Sequence, residues 1–276
     1  GYNLAGNVSY MPGRIASFFN DELVTGAFYH AFVLFFLCYL ILKKTKNYVL
    51  IFFIILVLVM SFLIGERSNF LKLFLSVTFF TSFALNINYK IKIISFVTII
   101  LLFCTIIISS NSYKVRYYGQ IKTLLSVNGY SNFIKKSQYG AHRNAAMKIL
   151  DKNLFFGVGV KNFRSESGKK MYENKEYLRT SERQSTHPHQ IHHEFLSETG
   201  IFGYLCFLSF ILSSIYLGLK SYVKTKNLFQ LSAIVFIIIS LLPLLPSGSF
   251  LSTFFSGLFW LNFAIMNGYI KKLTKF

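Results

Sequence analysis

Thr186-His187-Pro188-His189-Gln190-Ile191-His192-His193-Glu194-Phe195-Leu196-Ser197-Glu198-Thr199-Gly200-Ile201-Phe202-Gly203 is the stretch in which the polar middle of the chain gives way to a long apolar run. Four of the six histidines lie in it, so titratable chemistry is concentrated where the chain enters a membrane. Ile191, Phe195 and Leu196 fit one helical face, and Pro188, which has no amide proton, suits the start of that helix. This places His189 in the first helical turn.

Outward from there, the composition decides the class. Hydrophobic residues make up 53% of the 276 positions, aromatics 18%, and mean hydropathy is +0.48, more apolar surface than a soluble domain can bury. The fold expected is all-α, a polytopic transmembrane helical bundle carrying a large outward-facing loop region with short surface helices. Apolar segments of the length that crosses a hydrocarbon core, about 20 residues, lie at 23–42, 48–64, 70–85, 91–109, 201–219, 228–245 and 250–266, with a polar region at 110–197 between the fourth and fifth. The last two are separated by Pro246-Ser247-Gly248-Ser249, read as a tight reversal. Residues 1–276 thus form one membrane domain. Because Gly1 opens the chain without a leader-like segment before the first span, further spans are expected upstream.

A formal charge of +19 raises the question of nucleic acid, but the charge is dispersed over loops between apolar segments and forms no basic face. Topology accounts for it better. Lys43, Lys44 and Lys46, Lys90 and Lys92, Lys220, Lys224 and Lys226, and Lys271, Lys272 and Lys275 all fall on one side, which the positive-inside rule makes cytoplasmic. The N-terminal segment, the 65–69 turn, the 110–197 region and the Pro246 turn then face outward. All seven arginines (Arg14, Arg67, Arg116, Arg143, Arg164, Arg179 and Arg183) and all ten carboxylates lie on that outer side. The arginine fork grips phosphate oxygens in pairs, whereas lysine supplies a point charge.

Three short elements on the outer side could carry chemistry. Gly65-Glu66-Arg67-Ser68-Asn69-Phe70-Leu71 sets Arg67 at a helix mouth with Leu71 one turn on, and Lys72 below it reads as a side chain snorkelling to the interface. Arg14, in Pro12-Gly13-Arg14, either binds an anion or pairs with Asp21 or Glu22. In the polar region, Ala146, Met147 and Leu150 stand at helical spacing from Arg143, a short helix on the membrane surface, and Gly157-Val158-Gly159 follows as a close-packed turn. Residues 164–185 read as a solvated, mobile excursion. Cys38, Cys104 and Cys206 sit singly in apolar runs and read as buried thiols.

The histidine stretch admits a zinc site built from His187, His189, His192 and His193, but it offers no His-Glu-x-x-His spacing, so a single histidine acting as general base needs fewer assumptions. The remaining possibility is a polar juxtamembrane tract without chemistry.

His189-Gln190 followed by Phe195-Leu196 and Glu198-Thr199-Gly200, with Arg67-x-x-x-Leu71, Arg143 and Gly157-x-Gly159 upstream, resembles the O-antigen ligase and O-antigen polymerase superfamily. Gln190 stands where that family usually has Asn. The resemblance runs from Arg14 to Gly203 and implies a bacterial inner-membrane enzyme of lipopolysaccharide or polysaccharide biosynthesis with its site facing the periplasm. Its donor would be a glycan on a polyprenyl diphosphate such as undecaprenyl diphosphate, its acceptor a hydroxyl of lipid A core or another glycan, and configuration would invert. His189 would be the base, Arg67, Arg143 and Arg14 the diphosphate ligands, and His187, His192 and Glu198 secondary candidates. No metal and no cofactor is implied, and membrane lipids are the other expected partners. The same landmarks serve polymerases, and a non-enzymatic module that binds or passes lipid-linked glycans is the reading from another class.

Overall fold

In a computed structural model, the described residues are 24–85, 88–243 and 245–270, together with 6, 11, 13–15, 17 and 19 upstream. Asp21 and Glu22, the carboxylates first considered for Arg14, lie outside them. The described residues are 74% helical, and no strand occurs among them. In order come α1 (Thr25–Leu42), α2 (Asn47–Ile64), α3 (Arg67–Ala84) and α4 (Tyr89–Ser109), then α5 (Asn111–Tyr113), which continues through a π turn (Lys114–Tyr118) into α6 (Gly119–Leu125). There follow α7 (Gly129–Lys136), α8 (Gln138–Lys152), α9 (Phe163–Glu166), α10 (Ile191–Thr225), α11 (Leu228–Ser240) and α12 (Thr253–Gly268).

The seven apolar stretches coincide with α1 to α4 and α10 to α12. Of these, α1, α2 and α10 are long and apolar enough to cross a membrane, and α4 and α11 contain shorter apolar helical stretches. One boundary differs from expectation. α11 ends at Ser240 and α12 begins at Thr253, so residues 241–252 form an irregular connection and not a four-residue reversal. Pro243 and Pro246 supply the reason, since each removes an amide donor that a continuing helix needs.

Two compact units are present. The first comprises Gly1–Ile121, Ser221–Ile239 and Asn262–Phe276. Within it α1, α2 and α3 pack on one another, and Phe62 near the end of α2 lies between Phe103 (centroids 4.8 Å) and Tyr117 (4.5 Å), so the chain leaving α4 folds back over α2. Tyr113 completes this return by donating its hydroxyl to the Leu63 carbonyl at 3.0 Å. α2 stops at Gly65, which is left-handed (φ 79) and lies so close to Gly13 that a Cβ would stand 1.8 Å from its carbonyl oxygen. Lys72 does not snorkel. It is buried on α3 within electrostatic reach of His30, whose ring nitrogen shares a 2.8 Å hydrogen bond with Ser76. Cys38 is buried as expected, whereas Cys104 and Cys206 occupy exposed helix faces.

The second unit comprises Lys122–Lys220 and Ser240–Leu261. Its small core forms where Ala145, Ala146 and Ile149 of α8 meet Phe163 and Tyr172, and burying each large side chain there contributes roughly 2–3 kcal/mol. Met147, expected on the same face, points outward at 36% exposure. Residues 164–185 are not a loose excursion: they form a strap over α7 and α8. Leu178 N–H donates to the Lys135 carbonyl (2.9 Å), Lys148 reaches the Glu173 carbonyl (2.8 Å), and Arg183 donates to the carbonyls of Thr180 and Gly168.

Candidate functional site

In the first unit the turn between α2 and α3 is organised by a residue that motif reading passed over. Glu66 is 5% exposed and accepts hydrogen bonds from Gly26 N–H at the start of α1 (2.9 Å) and from Asn69 Nδ2 (2.6 Å). Arg14 Nη2 lies 3.9 Å from its Oε2, so Glu66 is the carboxylate Arg14 faces. Burial pushes the Glu66 carboxyl above its usual range, while these donors and the Arg14 charge pull it down. Gly26 permits the approach, because a Cβ there would stand 2.8 Å from Glu66 Oε2. Arg67 opens α3 immediately beside this hub and is half-buried.

In the second unit the histidine stretch is held by main-chain anchors. Contrary to the expectation that His189 begins the helix, α10 starts at Ile191, and His189 precedes it in a left-handed conformation (φ 54). Gln190 is the cap that moves the boundary: its Oε1 accepts from His193 N–H (2.9 Å) and its Nε2 donates to the Pro243 carbonyl (2.9 Å). The 241–252 connection covers the same segment. Ser247 N–H donates to the His189 carbonyl (2.9 Å), and buried Glu194 accepts from the Ser249 hydroxyl and from Phe250 N–H (2.8 Å).

The imidazoles then separate into two groups. His192 donates from Nε2 to the Leu241 carbonyl (2.8 Å) and accepts the Tyr204 hydroxyl proton at Nδ1 (2.9 Å), so both its nitrogens are engaged. His187, His189 and His142 cluster instead. Ring centroids of His187 and His189 are 4.1 Å apart, and His142 stacks on His189 at 5.0 Å with 21° between planes. Tyr139 presents itself edge-on to His189 at 5.7 Å, and the Ser185 hydroxyl is 3.4 Å from its Nε2. Burial, reinforced by the neighbouring imidazoles, holds His189 down at about 3 and His187 at about 4, and burial lowers His142 too. All three are uncharged at neutral pH. Among the described residues no group of three or more His, Cys, Asp or Glu side chains is arranged to hold a metal ion.

α8 carries Arg143 beside His142. Arg143 is exposed, makes no hydrogen bond or ion pair among the described residues, and lies within electrostatic reach of His193. Other arginines of the outer set serve the fold: Arg179 makes a two-pronged pair with Glu182, and Arg183 ties the strap to itself.

Gly157, Gly159, Glu198 and Gly200 meet in a main-chain seam. Val158 N–H and Gly159 N–H donate to the carbonyls of Ser197 (3.1 Å) and Glu198 (2.8 Å), and Ile201 N–H donates to Leu154 (2.9 Å). α10 is interrupted at Gly200 (φ 68, ψ −173) to allow this. Glu198 is 1% exposed, and its carboxylate accepts from Lys161 N–H (2.5 Å) and Phe163 N–H (3.1 Å), so it holds the start of α9. The sequence signal that could have found this was the pairing of two glycine clusters, each too short to be decisive by itself.

Searched against curated proteins, the sequence returned no match. The family model described as O-antigen ligase matches residues 23–208, a range that holds α1 to α9, the whole histidine stretch and the seam; the chain belongs to this family of multi-pass membrane enzymes of glycosyl transfer.

Proposed function

We propose that the protein transfers a glycan from a polyprenyl-diphosphate carrier to a hydroxyl of lipid A core or another glycan, at the periplasmic face of a bacterial inner membrane and without a metal. The observation that supports this reading is local to the second unit. One helix, α8, brings Arg143 beside the histidine segment and sets its neighbour His142 against His189.

The acceptor oxygen attacks the anomeric carbon, the bond from that carbon to the diphosphate oxygen breaks with its electron pair leaving on the diphosphate, and the acceptor's proton passes to His189. Configuration inverts. The leaving group gains negative charge, which a guanidinium such as Arg143 can meet with two parallel hydrogen bonds. Arg67 and Arg14 of the first unit are assigned the same task by the family resemblance, Arg14 after release from Glu66. His189 is held uncharged in the resting protein, and a diphosphate anion arriving nearby raises its proton affinity when a base is needed. The seven apolar stretches are read as spans, with residues 110–197 outside.

The test is transfer from a lipid-linked donor by purified protein in vesicles. His189→Ala abolishes it while donor binding persists, Arg143→Lys and Arg67→Lys each lower the rate about 100-fold, and a chelator leaves the wild type unchanged. Undiminished transfer by His189→Ala overturns the base assignment. If the protein only bound or passed the carrier, the wild type would bind the donor and show no transfer.

A further inference from the structure

We propose that His142 is a positioning residue for His189: a buried imidazole locked in one tautomer, against whose face the His189 ring is set. The inference rests on the reading of His189 as base and extends it to a residue that neither the motifs nor the family landmarks single out.

Three observations carry it. First, His142 Nε2 lies 3.0 Å from the Glu182 carbonyl, which can only accept, so Nε2 keeps the proton and Nδ1 is a lone pair. Second, His142 is fully buried, and Nδ1 has no hydrogen-bond partner among the described residues. A buried acceptor left open costs stability, and a phenylalanine would fill the space without that cost. Third, the ring lies nearly parallel to His189, so the contact is a stack and not a hydrogen bond, and it fixes the plane in which the His189 nitrogens point.

The chemistry follows from the neighbours. His189 faces Tyr139 and His142 from α8 and His187 from its own segment, while Arg179 and Glu182 of the strap bear on His142 from behind. Two stacked imidazoles do not both take a proton at neutral pH, because the second charge would be placed against the first. At neutral pH, with His142 committed to the strap through Nε2, the proton taken from an acceptor goes to His189 and His142 stays neutral beneath it; in an acid titration, where the open Nδ1 of His142 takes a proton too, each charge opposes the other and the His189 midpoint is held down. His142 does not meet substrate. It acts by setting the angle and the proton affinity of the group that does.

The experiment uses the full chain in nanodiscs with ring-15N histidine, following the six histidine signals against pH and measuring kcat and KM for transfer in the same preparations. In the wild type the His142 signal reports the Nε2–H tautomer. His142→Phe, which keeps the stacking face but no titrating nitrogen, shifts the His189 midpoint upward by roughly half a pH unit or more and keeps kcat within about threefold. His142→Ala, which removes the face as well, lowers kcat about tenfold or more with KM little changed. An unmoved His189 midpoint in His142→Phe, or wild-type kcat in His142→Ala, overturns the proposal. Should His142→Ala fail to fold, the phenylalanine variant decides by the midpoint alone. The two readings fail separately: active His189→Ala ends the base assignment, whereas inactive His189→Ala with an unmoved midpoint in His142→Phe ends only the role of His142.

Discussion

Gly200→Ala tests the seam on which the second unit depends. The glycine adopts φ 68 and ψ −173, a region in which side-chain-bearing residues cost about 1–3 kcal/mol. An added Cβ would also stand 2.3 Å from the Phe155 carbonyl oxygen and 2.5 Å from Phe156 N, backbone atoms that cannot rotate away. Relieving that contact moves the 154–156 segment and stretches the bonds from Ile201 N–H to Leu154 and from Phe202 N–H to Phe155, each contributing about 0.5–1.5 kcal/mol. The losses together come to about 2–6 kcal/mol. Gly257→Ala is the matched control, since a Cβ on that glycine of α12 meets nothing within 4 Å and alanine is the better helix former by about 1 kcal/mol. Thermal unfolding of the purified proteins in one detergent, followed by circular dichroism, gives the comparison. Gly200→Ala melts well below the wild type and Gly257→Ala at or above it. Equal melting of Gly200→Ala and wild type would refute the account of the break in α10 as a strained, tightly packed turn.

Other expectations follow from the same geometry. Glu198→Ala leaves the amides of Lys161 and Phe163 without their acceptor, costing about 1–3 kcal/mol for the buried Phe163 donor, and limited trypsin digestion should then cut faster after the exposed Lys161; unchanged digestion contradicts the holding role. His187 and His189 have folded values depressed below the ordinary histidine value of about 6.5, so the unfolded chain binds protons that the folded one does not. Their contribution is therefore intact above about 6.5 and is lost as pH falls toward about 4 for His187 and about 3 for His189. His187→Gln should flatten this acid limb in urea-unfolding curves taken at several pH values, and an identical limb would show that the buried imidazole is not its source. A reporter inserted near Lys170 should report the periplasmic side of the membrane, and reporters after Lys46 or Lys226 the cytoplasmic side; the reverse pattern would invert the topology.

The apolar runs made the helices legible, because hydropathy over a span is a local property of sequence. Arg143 and the histidines were likewise conspicuous by type and place. Glu66 was not: nothing in the sequence around Arg67 sets it apart, and only the return of Gly13–Arg14 against Gly65 and the closeness of Gly26 bury it. The strap failed for the same reason, since Lys148 to Glu173 and Leu178 to Lys135 join residues distant in sequence through carbonyls, which leave no trace in side-chain composition. The start of α10 was misjudged because Pro188 advertises a helix, whereas the glutamine that caps it two residues later is an unusual choice for that position.

The seam between residues 154–159 and 197–202 also bears on how such a protein can diverge. Its joins are made by peptide groups, so they are indifferent to what the intervening side chains are, and Phe155, Phe156 and Phe202 are 67%, 75% and 63% exposed. Substitution at those three positions leaves the main-chain joins in place, whereas a Cβ at Gly157 or Gly200 would collide with backbone across the seam. For anyone building variant libraries, randomising the aromatics and freezing the glycines would alter the outer surface beside the histidine segment without disturbing the framework that supports it.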